Sequence, residues 1–211
     1  MNNKIRMSLQ NIKLIVIEVD GCLTDGKIYL DSDGKKTRSY NVLDSEAIKD
    51  IIHKGYKVGL ICSENINQFK YLFKKWNLSF LAGKIDNKLE WIKQYIEPLY
   101  ISLNQVAFMG FNLSDIKLLQ ECGYAVCPSN SHYKVLDICK FVSHLEGGNG
   151  AIYEFLDLFN FNNKKTKKEQ PQQETDTFSP TIEYPSRTYT LNNRNNSQSF
   201  FFPIDKKMVS S

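Results

Sequence analysis

The stretch Ile17-Glu18-Val19-Asp20-Gly21-Cys22-Leu23-Thr24-Asp25-Gly26 places two carboxylates one residue apart, directly after an apolar run. Alternate side chains of an extended chain share a face, so Glu18 and Asp20 leave the end of a strand on the same side. Such a pair can hold Mg²⁺, which takes oxygen ligands and favours phosphate-bearing sites. One carboxylate can attack phosphorus and form an acyl phosphate while the other handles the proton. Gly21 and Gly26 let the backbone turn closely around a bound group. Two solvated acids at a strand end would show the same spacing, and spacing alone leaves the two readings level.

A parallel sheet is the element that would position these residues. Ile12–Val19 reads as a buried strand, and a hairpin of Lys27–Leu30 and Thr37–Asn41 follows around Asp31-Ser32-Asp33-Gly34. Helices are expected over Asp44–Lys54, Asn65–Trp76, Asn87–Ile96, Ser114–Cys122, Asn130–Ile138 and Ala151–Phe159. Strands are expected at Lys57–Cys62, Val106–Met109, Tyr124–Cys127 and Phe141–Val142. This alternation predicts an α/β fold with helices on both faces of a parallel sheet. Ligands in such folds bind beyond the carboxyl ends of the strands. That rule directs attention to 18–26, 62–65 and 110–115.

Composition bounds the function classes. The chain of 211 residues is 42% hydrophobic and 24% charged, as expected of a soluble globular protein. No run approaches a membrane span, and no leader-like segment is read at the N-terminus. Five cysteines, none at a CxxC spacing, indicate a reducing, cytoplasmic setting. Most of the net charge of +4 lies after residue 160, so the body is nearly neutral and a nucleic-acid partner is not expected. The organisation expected is an N-terminal extension over 1–11, one domain over 12–159 and a disordered polar tail over 160–211. Phe200-Phe201-Phe202-Pro203 in that tail is read as an incidental apolar cluster. His53, His132 and His144 show no metal spacing, and Trp76 and Trp91 are read as core.

Five ordered segments resemble one branch of the haloacid dehalogenase superfamily, the 3-deoxy-D-manno-octulosonate 8-phosphate phosphatases. They are DGCLTDGKIYLDSDG at 20–34, NVLDSEAIK at 41–49, NKLEW at 87–91, MGFNLSD at 109–115 and EGGNGAIYEF at 146–155. The C-terminal module of animal acylneuraminate cytidylyltransferases is similar too. The resemblance implies a capless Rossmann-like fold and Mg²⁺-dependent hydrolysis of a phosphate monoester. It puts Glu18 at the nucleophile's place, where the family has aspartate, and Asp20 as acid/base. Cys62 takes the place of a hydroxyl that binds the phosphoryl group, with Ser63 as a possible substitute, and Lys88 is the charge-neutralising lysine. Phe111 stands where a metal-binding aspartate is expected, which leaves Glu18, Asp20, Asn112 and Asp115 as metal candidates. Leu43 and Tyr153 replace basic residues. The resemblance also implies a homotetramer built on the hairpin, and substrate contacts from Gly21, Gly147 and Gly148, the last two closing over a neighbouring chain's site. It suggests as well an enzyme of nucleotide-sugar metabolism as partner. With Glu18, Cys62 and Phe111 all altered, the expectation is a catalytically impaired member with a scaffolding role.

Overall fold

The computed structural model describes residues 9–160, apart from the side chain of Gln68, and the backbone of 187–193 and 196–202. The central sheet has six strands in the order β5-β4-β1-β6-β7-β8, all parallel. These are β1 (Leu14–Glu18), β4 (Lys57–Ile61), β5 (Phe80–Ala82), β6 (Val106–Met109), β7 (Tyr124–Cys127) and β8 (Phe141–Val142). The hairpin strands β2 (Tyr29–Leu30) and β3 (Lys36–Thr37) form a separate antiparallel pair. β5 was not anticipated, because three residues are too few to show a period.

β1 shows why the sheet has two covered faces. Ile15 and Ile17 pack on one side with Ile48 and Ile51 of α1 (Val42–His53), Leu72 and Trp76 of α2 (Lys70–Trp76), and Phe155 of α6 (Ala151–Asn160). Leu14 and Val16 pack on the other with Ile92 of α3 (Lys88–Ile96), Leu118 of α4 (Ile116–Glu121) and Val135 of α5 (Tyr133–Leu136). A strand buried on both faces has no polar side to present, hence its unbroken apolar run.

Three expected helices are shorter than their patterns suggest. Asn65–Trp76 begins with a single tight turn at Asn67–Phe69, and Ser114–Cys122 with another at Leu113–Asp115. Asn130–Ile138 contracts to Tyr133–Leu136, where the His132 ring accepts the Lys134 N–H and fixes the start. In the two latter cases side-chain capping near the N-terminus competes with further helical turns. The expectation of a tail without regular structure is corrected in part. β9 (Arg187–Asn193) and β10 (Asn196–Phe202) pair antiparallel, with Asn193 opposite Asn196. Their threonine, tyrosine, leucine and phenylalanine residues favour strands, a local signal that the polar average of the tail conceals. The rest of that expectation, and most of the 1–11 extension, lie outside the described residues.

Candidate active site

β1 ends at Glu18, and the chain then turns through Val19–Leu23, closed by the Thr24 N–H on the Val19 carbonyl at 3.0 Å. Gly21 makes the turn possible with φ +91°, a left-handed conformation that a side chain would oppose. The Thr24 hydroxyl accepts the N–H groups of Gly21 and Gly26, which fixes the loop from inside.

Beyond β1 stand two ion-pair clusters, with the Cys62 thiol between Glu18 of one and Asp20 of the other. In the first, Lys88 at the start of α3 is paired with Glu18, and its Nζ lies 2.5 Å from Asp115 Oδ1. All three side chains are buried. Asp115 Oδ2 accepts the N–H groups of Phe111 and Asn112 at 2.8 and 3.0 Å, so this carboxylate also anchors the loop after β6. Burial, followed by the nearby Asp115, outweighs Lys88 and raises the Glu18 pKa from 4.5 to about 7. Burial draws the Lys88 pKa down, but Glu18 and Asp115 together hold it above its ordinary value. Removing one partner of a buried pair leaves an uncompensated charge and costs about 3–5 kcal/mol.

In the second cluster, Arg38 grips Asp20 with two contacts: Nε lies 2.7 Å from Oδ1, and Nη2 donates to Oδ2 at 3.0 Å. Cys62 Sγ donates to the same Oδ2 at 3.3 Å and accepts the Glu64 N–H. Desolvation by burial, followed by the charge of Glu18, raises the thiol's pKa, so Cys62 remains protonated. Lys36 pairs with Glu64 at 3.4 Å, so two cations of the hairpin reach the carboxyl ends of β1 and β4. Arg38 carried no signal in the sequence beyond being a basic residue in the hairpin. Its carboxylate partner is 18 residues away.

The structure thus brings together Glu18, Lys88 and Asp115, and joins Asp20 to them through Cys62. Other nominated residues make the following contacts. The Ser63 hydroxyl donates to the Ile85 carbonyl at 3.2 Å and does not replace Cys62. Asn112 is exposed, and its Oδ1 accepts from Ser114 N–H and hydroxyl, capping the turn that follows. Gly147 and Gly148, expected over a neighbouring chain's site, lie against this chain's own loop, with the Gly148 N–H on the Cys22 carbonyl at 2.9 Å. A β-carbon on Gly147 would stand 1.7 Å from the Gly21 carbonyl oxygen, so the contact is backbone on backbone. Gly21 itself faces the Phe111 ring, not open space.

As a Mg²⁺ site, this donor set does not fit. A hard cation needs a nearly complete shell of oxygens. Here Lys88 engages Glu18 and Asp115, Arg38 engages both oxygens of Asp20, and a benzyl ring follows Gly110. No cluster of three or more His, Cys, Asp or Glu suited to a metal occurs among the described residues.

A family profile described as haloacid dehalogenase-like hydrolase matches residues 61–156. The chain is 28% identical over 149 residues to 3-deoxy-D-manno-octulosonate 8-phosphate phosphatase KdsC of Salmonella typhi, covering 71% of this chain and 79% of that protein. Among solved structures, a probable yrbi family phosphatase from Pseudomonas syringae superposes with a TM-score of 0.75 at 26% identity, covering 78% of this chain and 94% of that one. The Moraxella catarrhalis 3-deoxy-D-manno-octulosonate 8-phosphate phosphatase, solved with magnesium, phosphate and KDO, gives 0.74 at 26% identity with the same coverage.

Proposed function

We propose, for a chain that belongs to the haloacid dehalogenase-like hydrolases and is related to the KdsC phosphatases, that it keeps the fold of its relatives while hydrolysing phosphate monoesters weakly or not at all. The observation that carries this reading is the engagement of every strand-end carboxylate by a cation of the protein itself, beside an aromatic ring. A carboxylate nucleophile must be ionised and free to approach phosphorus. Burial raises the Glu18 pKa to about 7, which disfavours its ionised form, and that form is held by Lys88. Glutamate also reaches one methylene further than aspartate, and a misplacement of about 1 Å can cost roughly 10²-fold in rate.

The retained role on this reading is a scaffold formed with further copies of the chain. Ile28, Tyr29 and Leu30 on the hairpin are 43%, 53% and 66% exposed, a contiguous apolar run suited to burial against a second copy. A tetramer, with an enzyme of nucleotide-sugar metabolism as a further partner, is the assembly this proposal entails. Among the described residues no helix is long and apolar enough to cross a membrane.

One observation favours the opposite reading, an active phosphatase for a sugar-acid phosphate. The Glu18–Lys88–Asp115 cluster presents an acid and a charge-neutralising lysine at the strand ends, as phosphoryl transfer requires. The deciding experiment is release of inorganic phosphate from sugar-acid phosphates in Mg²⁺, comparing the wild type with Glu18→Ala/Asp20→Ala. Indistinguishable rates support the impaired scaffold; turnover lost in the double variant establishes the enzyme.

A further inference from the structure

We infer that Arg38 is a built-in counter-cation that takes the place of a divalent metal on Asp20 and sets the site's affinity for such ions. The inference rests on the reading of an impaired site and names the residue that maintains it.

Thr37 and Ser39 are exposed, while the Arg38 side chain between them is 1% exposed, so this one residue of the hairpin turns inward. Its guanidinium meets both oxygens of Asp20, at 2.7 and 3.0 Å. Nη2 supplies the charge-assisted hydrogen bond, to Oδ2, and Nε adds a close charge contact with Oδ1. The guanidinium charge therefore sits against the carboxylate that a divalent ion would need from Asp20, and it holds Oδ2 by a hydrogen bond. To bind, the metal must displace Arg38, and the displaced head would have to leave a buried position or stay there unpaired. Lys88 meanwhile answers Glu18 and Asp115. Two protein cations therefore face three carboxylates, which leaves little net negative charge to attract a metal. Phe111 removes an oxygen ligand, whereas Arg38 removes the availability of one that is present. An exposed pair, Lys36–Glu64, adds a second and weaker contact between the hairpin that carries Arg38 and the segment after β4. Divalent-ion binding and a docked hairpin are then mutually exclusive states.

The test is calorimetric titration of the full-length chain with MgCl₂ and MnCl₂, together with thermal melting at each metal concentration. The wild type and Phe111→Asp are each compared with the same chain carrying Arg38→Met or Arg38→Lys. Arg38→Met should raise metal affinity about tenfold or more in the Phe111→Asp background, and Arg38→Lys should raise it far less. Adding Asp20→Asn to Arg38→Met should abolish the gain, which a general loosening of the fold would not do. If Arg38→Met fails to fold by circular dichroism, Arg38→Gln makes the same comparison. Equal affinity with and without the arginine in folded Phe111→Asp chains would overturn the inference while leaving the impaired-enzyme reading intact. Mg²⁺-dependent phosphatase turnover by the wild type would overturn both.

Discussion

The Phe111 ring lies against Gly21, so close that a β-carbon added to the glycine would come within 2.1 Å of Cδ1. The ring also stands 3.6 Å from where a β-carbon on Gly26 would lie, so one aromatic side chain packs against both glycines of the loop after β1. Gly21→Ala should therefore meet two obstacles, the ring and φ +91°. Phe111→Ala should relieve the first and not the second. A double-mutant cycle by urea unfolding is expected to show a coupling of about 0.5–3 kcal/mol, with Gly21→Ala still destabilising in the Phe111→Ala background.

Glu18 makes stability depend on pH. Its pKa in the folded chain, about 7, lies above the ordinary 4.5, so the folded state holds a proton that the unfolded state releases. The stability linked to that proton is fully present below pH 4.5 and is lost as pH rises through about 7. Glu18→Gln should remove this loss. Between about pH 5 and about pH 8, chemical denaturation should show the wild type losing on the order of 1–3 kcal/mol relative to the variant. Parallel stability curves would argue against a raised Glu18.

The glycines before α6 are set by contact. Gly147→Ala would place its β-carbon 1.7 Å from the Gly21 carbonyl oxygen, and the Gly148 N–H bond to Cys22 prevents the two segments from separating. A loss on the order of 3 kcal/mol is expected by urea unfolding. Gly34→Ala is the control, with φ +74° and nothing within 4 Å of the added carbon. Backbone strain alone should cost roughly 1–2 kcal/mol there.

Asp44 joins two helices that are distant in sequence. Its buried carboxylate accepts the Gly150 and Tyr153 N–H groups at 3.1 and 2.9 Å, capping α6 from α1. Asp44→Ala leaves both donors without that acceptor, and a loss of about 1–3 kcal/mol is expected. Amide hydrogen exchange should localise the change to the first turn of α6. Uniform exchange across the sheet would point to a different role.

The framework was legible because burial on both faces leaves its mark on each segment. The apolar runs at β1, β4, β6 and β7 and the helical pattern of α1, α3 and α6 appear at or near their expected bounds. The glycines at 21 and 26 marked a turn, and both have positive φ. Glu18, Asp20, Lys88 and Asp115 could be nominated because each sits at the end or start of such an element. The contacts of Ser63 and Asn112 were not legible, for a local reason: short polar side chains near a turn satisfy nearby backbone groups.

What the sequence by itself determined is the order of elements, the two-sided core and the set of charged residues gathered at the strand ends. Only the tertiary structure decided how those charges pair. Lys88 answers Glu18 and Asp115, and Arg38 answers Asp20, across separations that no periodicity records. Hydrophobic patterning follows the repeat of a single helix or strand and is written locally. Pairing of buried charges is fixed by which side chains the folded backbone brings within a few ångströms, and by the cost of leaving any of them unpaired there.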